Sequence, residues 1–357
     1  GGLADLALVR STGSGVTVDA GTIDATTIEA QGSALMLTAS AGDLTLGTGF
    51  AATSAMLETT GGAGDVTVST SLTSGTSSTV ASVGDARLVS VTAGNGSVTV
   101  IAAGEATGLL PTDRANLSAS GADSDVTVTA GTLALLGTVN AADDVTVAAD
   151  AVDISSVTAT GGALTLTADM GRLLLGIGTA GTDATLTKQG ATGELQATML
   201  TAVDAATLDS STHARLGNVT SGGALRVAAA GEVTGIPDDS ARANLTAQAD
   251  MSDITVSAGT LARLGEVNAG NDVRVTASNG TVDITNAVAR TGLLALSATN
   301  GDIMLGTGTA ATTSDLTTSG SGDINVVTSL IWGGTITIGW ADDVTIGLAR
   351  GTNGDIV

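Results

Sequence analysis

Large side chains are scarce in this 357-residue sequence. Phe50, Trp332 and Trp340 are its only aromatics and tyrosine is absent. A core built without them has to be thin, filled by Val, Ile, Leu and Ala in stacked layers, because residues this small cannot fill the space between two thick packed layers. Cysteine is missing as well, which excludes disulfides and thiolate metal sites and fits a chain exported through an oxidising compartment. Positive charge is sparse: 12 Lys and Arg against 35 Asp and Glu give a net charge of −23. Nucleic acid is therefore excluded as an expected partner, since phosphate binding needs clustered cations, and an anionic membrane surface would repel the chain. No apolar run reaches the length of a transmembrane helix, and the Gly1-Gly2 start has neither the basic nor the apolar region of a signal peptide. Two prolines are present, and glycine, threonine, serine and valine, all poor helix formers, dominate.

What the chain does contain is one short phrase, repeated. Asp-Val-Thr-Val occurs at Asp125 and again at Asp144, and 144 − 125 = 19. Alternation puts both valines on one side and the threonine on the other, a strand in miniature. Variants of it include GVTV at Gly15, DLTL at Asp43, SVTV at Ser97, ALTL at Ala163, DITV at Asp253, DIML at Asp302, DINV at Asp323, DVTI at Asp343 and DIV at Asp355. Their spacing clusters at about 20 residues or half of that, which implies two or more strands per turn of a coil that stacks on itself, with Gly, Asn or Asp at the corners. The apolar content of 43 % argues against disorder. The expected fold is all-β, a parallel β-solenoid (β-helix) of about 20 residues per coil. With about 18 coils about 4.8 Å apart, it would form a narrow rod on the order of 85 Å long.

A longer period lies over the short one. Gly131-Thr-Leu-Ala-Leu-Leu-Gly returns as Gly259-Thr-Leu-Ala-Arg-Leu-Gly, where 259 − 131 = 128, and DRANLSA at Asp113 answers ARANLTA at Ala241. This divides one continuous solenoid into super-repeats 1–130, 131–258 and a truncated 259–357. Neither end carries a capping pattern, so the expected partner is the rest of a longer chain or a second copy, end to end.

The phrases ATNGDIMLGTGTA at Ala298, TASAGDLTLGTG at Thr38 and VNAGNDVRVTASNG at Val267 resemble the repeats of filamentous haemagglutinin-like exoproteins, the large two-partner-secreted adhesins of Gram-negative bacteria. The resemblance covers nearly the whole chain in the pattern A-x-x-G-[DN]-[VIL]-x-[VL]. It implies a right-handed coil, an extracellular or cell-surface location, and the role of a structural shaft in attachment, aggregation or display that meets a host or neighbouring cell.

Four sets of residues are candidates for chemistry. The aspartates before strand phrases, Asp43, Asp65, Asp125, Asp144, Asp253, Asp272, Asp302, Asp323 and Asp343, would lie one strand spacing apart if coils stack in register, and calcium would relieve their repulsion. The competing reading has each Asp capping its own turn by bonding the backbone two residues on, with no cofactor required. The outward threonines, Thr17, Thr45, Thr67, Thr99, Thr127, Thr146, Thr165, Thr255, Thr337 and Thr345, could form an ice-binding face, although the T-x-T pairs skip most coils and threonine favours strands for propensity alone. Trp332 and Trp340 are either a contact surface or core filling. A carbohydrate-active enzyme is the most distant alternative: the chain has one histidine, His213, at what looks like a tolerated surface position, one lysine, Lys188, and almost no aromatic platforms. No catalytic residue is expected.

Overall fold

A computed structural model describes residues 2–339 and 342–352; Trp340 and Asp355 lie outside the described residues. By its internal contacts the chain falls into two compact units, Gly1–Gly181 and Thr182–Val357. Each is a parallel β-solenoid of about 20 residues per turn, and among the described residues there is no helix. No helix is therefore long and apolar enough to cross a membrane.

In the first unit a typical coil has one long strand and one short one, as in Thr22–Ala30 followed by Leu35–Ala39. Long strands pair in parallel with long strands and short with short. Ile23 faces Leu44 (44 − 23 = 21), and Val126, Val145 and Leu164 stack at intervals of 19. The second unit repeats the scheme, with Leu225, Ile254, Val273 and Leu294 in one column.

Alternation explains the burial. In Val145–Ala149 the side chains of Val145, Val147 and Ala149 are buried while Thr146 is exposed. Inward columns are mostly Leu, Ile and Val with Ala and some Ser among them, and fully burying one of the larger side chains contributes roughly 1.5–3 kcal/mol. In the long strands the alternation slips by one residue: Leu44 and Leu46 are buried, Gly47 and Thr48 are not, and Gly49 and Ala51 are buried again. The strand turns a corner there. A Cβ on Gly47 would lie 2.3 Å from the carbonyl oxygen of Thr26 in the preceding coil, and one on Gly306 would lie 2.3 Å from that of Thr285, so glycine lets adjacent coils close at the bend.

A second corner takes small residues. Ala30, Ala51, Ser74, Ala93, Ala119, Ala141 and Ala159 share one register column. The second unit has a small-residue column of its own, and Trp332 stands in it, opposite Ala310 on one side and Gly351 on the other. Its indole is 2 % exposed, so it is core and offers no contact surface. A Cβ on Gly351 would lie 3.0 Å from the ring, so glycine there makes room for it.

A coil in each unit is interrupted by a segment of several residues. Residues 108–114 separate Ala106–Thr107 from Ala115–Ala119, and residues 235–242 separate Val233–Thr234 from Ala243–Ala247. These segments hold the chain's two prolines, and they recur at the offset of the longer period, since 243 − 115 = 128.

Candidate functional site

Eight of the nine pre-strand aspartates, all but Asp343, bond across coils and not within their own turns. Their Oδ1 atoms accept backbone N–H groups of the next coil. On the edge leading into the long strands, Asp43 accepts from Asp65 (3.0 Å), Asp65 from Asp85 (2.8 Å), Asp302 from Asp323 (2.9 Å) and Asp323 from Asp343 (3.0 Å). On the edge leading into the short strands, Asp125 accepts from Asp144 (3.2 Å), Asp144 from Ala163 (2.7 Å), Asp253 from Asp272 (3.1 Å) and Asp272 from Leu293 (2.8 Å). This overturns the expectation of a local cap. Where the chain enters a strand, parallel stacking sets the next coil's N–H within bonding distance of the carboxylate, and a charged acceptor makes a strong bond. The ladder tolerates another acceptor, since Ser97 Oγ takes the N–H of Asp125 at 3.1 Å; inside the strands, at register shifts, Asn116 Oδ1 takes the N–H of Thr138 and Asn244 Oδ1 that of Glu266 in the same forward sense, each at 3.0 Å.

His213 belongs to the same ladder. Its Nδ1 accepts the N–H of Glu232 at 3.2 Å. This histidine does what Asp85 does one long period earlier (213 − 85 = 128), where the carboxylate accepts the N–H of Glu105 at 2.8 Å. It is half exposed, but it holds a position rather than merely occupying a surface.

Among the described residues, three carboxylates converge at one place. Oxygens of Asp125, Asp143 and Asp144 all lie within 4.8 Å of one another. Desolvation, and then the neighbouring charges of Asp144, Asp125 and Asp123, hold the Asp143 carboxyl above its ordinary range. Two candidates, Asp125 and Asp144, are thus brought together with Asp143. Asp302, Asp323 and Asp343 line a small hollow of about 210 Å³ on the second unit.

The outward threonines also differ from expectation. Thr79, Thr99, Thr127, Thr146 and Thr165 stand in one column across five consecutive coils of the first unit, without a gap. The neighbouring outward column reads Ala81, Ile101, Thr129, Ala148 and Thr167, so this face carries no charge. The T-x-T pattern skips coils, whereas the single-residue column does not.

Each interrupted coil is closed by an arginine. Arg242 donates to the carbonyl of Leu264 at 3.0 Å, to that of Asp283 at 3.2 Å and to both carboxylate oxygens of Asp283 at 2.8 and 2.9 Å. Arg114 makes three of the corresponding bonds, with Leu136 O, Asp153 O and a single carboxylate oxygen, Asp153 Oδ1. One planar fork thereby ties three successive coils together across the break.

Lys188 points inward beside a groove of about 730 Å³ on the second unit, bordered by Asp209, Ala228, Ala230, Ser257 and Ser278. The sequence contained the signal, since alternation through Ala184, Leu186 and Lys188 puts all three on the buried side. Comparison with known proteins finds no matching family model, no matching curated protein and no similar solved structure.

Proposed function

We propose that the chain is a structural shaft of an extracellular bacterial adhesin or surface fibre, as the resemblance to filamentous haemagglutinin-like exoproteins suggests. The observation that carries this reading is the continuity of bonding within each unit. Among the described residues, successive coils are joined by parallel strands, and at many strand entries also by side-chain acceptors reaching one coil ahead. Such bonding stiffens a stack without large side chains. An acidic, Ser- and Thr-rich exterior keeps it soluble and resists lateral association. The reading assigns no reaction and no cofactor to the chain; its partners are the rest of a longer chain or a second copy along the axis, and the surface to which the fibre attaches. Antibodies raised against the chain should label intact cells of its source, and deleting its coding sequence should reduce attachment or aggregation. Labelling seen only after permeabilisation would overturn the proposal.

A second reading, a calcium- or ice-binding face, draws on two observations: the convergence of Asp125, Asp143 and Asp144, and the unbroken column from Thr79 to Thr165. A melting temperature raised by millimolar calcium and lowered again by chelator would favour the first form, and thermal hysteresis in freezing solutions the second. Absence of both leaves the shaft alone.

A further inference from the structure

Lys188 is the only lysine in the chain, and it is 1 % exposed. Its register partners in the following coils are Ser210, Ala229, Ala258 and Ala277, so its stem lies at the head of a column of small residues. The ammonium donates to the carbonyl of Gly190 and to Ser211 Oγ, both neutral acceptors. No carboxylate pairs with it among the described residues, and nearby Asp209 is held by Arg226. A buried ammonium without a counter-charge is costly. Accordingly, desolvation holds its pKa below the ordinary lysine value.

The groove beside it runs from Lys188 to Ser278, over four coil-to-coil steps, or about 19 Å at about 4.8 Å per step. Its volume of about 730 Å³ falls within the range of roughly 300–1,000 Å³ typical of small-ligand sites. The walls are mainly alanine and serine side chains, with Gln189 and the Arg226-paired carboxylate of Asp209 towards the Lys188 end. A peptide strand would need free backbone groups to pair with, but those of the groove floor are already engaged in the parallel ladder.

We infer that this groove binds a linear acyl carboxylate, with the chain along the small-residue floor and the carboxylate at the Lys188 end. The anionic head supplies the counter-charge that the protein withholds, and the alkyl chain covers apolar wall that no large side chain shields. In a molecule of net charge −23, an ammonium without a carboxylate partner is an attractive point for an anion. The inference is independent of the shaft reading, because acyl binding can fail while the stack stays intact.

Calorimetric titration of the full chain with sodium decanoate, laurate and myristate, each below its micelle-forming concentration, tests it. Saturable one-to-one binding is expected, tightening by up to about fourfold for each added methylene. Lys188→Met should weaken laurate binding at least tenfold, and dodecyltrimethylammonium should bind at least tenfold more weakly than laurate. Ser257→Phe, at an exposed wall position outside the core, should abolish binding without altering the circular dichroism spectrum, and it decides the matter should Lys188→Met fail to fold. Absence of saturable laurate binding, equal affinity for the cationic amphiphile, or undiminished binding by Ser257→Phe would overturn the inference.

Discussion

Asp253 Oδ1 accepts the backbone N–H of Asp272 at 3.1 Å, one coil on, and Asp272 repeats the bond with Leu293 at 2.8 Å. The aspartates that begin the strand phrases are thus rungs between coils, set where backbone pairing is about to resume. The bond needs an acceptor at Oδ1, and charge adds to its strength without being essential. Asp253→Ala should lower unfolding free energy by about 1–2 kcal/mol, the cost of leaving a partly buried N–H without its partner. Asp253→Asn keeps an oxygen acceptor, of the kind Asn244 uses for the same forward bond within a strand, and should lose less than about half of that. Urea denaturation of the two variants checks the ordering; equal losses would mean that charge, and not the acceptor, carries the effect.

Asp143 carries a penalty at neutral pH. Desolvation and then the surrounding carboxylates raise its pKa, so the folded chain holds this proton more tightly than the unfolded chain does. The protonated form's contribution to stability is therefore fully present in acid below the unfolded value and is lost as pH rises through the raised, folded value. Asp143→Asn should raise the melting temperature at pH 7, and the gain should vanish as pH falls below the ordinary aspartate range. A gain that persisted unchanged in acid would point to a cause other than ionisation.

Arg242 closes the break at 235–242 through one guanidinium reaching Leu264 and Asp283. Asp283 is mostly buried and Arg242 is about one third exposed. Arg242→Ala should cost about 1–3 kcal/mol, at the lower end if solvent takes over part of the bonding. Arg242→Lys should recover little, since an ammonium cannot reproduce the fork. Hydrogen exchange should show the loss concentrated in 235–242 and its neighbouring coils.

At Gly306 the bend of the long strand leaves no room for a methyl group. A Cβ there would lie 2.3 Å from the carbonyl oxygen of Thr285. Because that contact is with backbone, Gly306→Ala should destabilise by roughly 1–3 kcal/mol through overpacking. Gly13, which has nothing within 4 Å of its Cβ position, should tolerate alanine with little change. Thermal melts of both variants compare the two sites directly.

Much of the fold was legible because its signal is local. Asp125 to Val128 and Asp144 to Val147 each state a strand, and their separation states the coil. The partners of the side chains were not legible in the same way. That Asp253 bonds Asp272 and not its own turn depends on the vertical register, and the interval between phrases cannot distinguish a cap from a rung. The unbroken column from Thr79 to Thr165 is hidden in the sequence because the coils between them differ in length (127 − 99 = 28 but 146 − 127 = 19), and only pairing aligns them. Trp332 was ambiguous because an isolated aromatic is equally at home in a core or an interface, and the small corner column that receives it emerges only when the coils are superposed. Lys188 stood at a position that alternation marks as buried, but its charge argued for the surface.

Register between neighbouring coils is the claim on which the ladder, the columns and the shaft all depend. Disulfide formation measures it directly, since it requires Cα atoms no more than about 7 Å apart. Thr127 pairs with Thr146, and Thr146 with Thr165. In this cysteine-free chain, Thr127→Cys combined with Thr146→Cys should oxidise to an intramolecular disulfide while fully folded, as should Thr146→Cys with Thr165→Cys. Thr127→Cys with Thr165→Cys, two coil spacings or about 9.6 Å apart, should stay reduced. Efficient cross-linking of that last pair, or failure of the first two, would contradict the stacked-coil account.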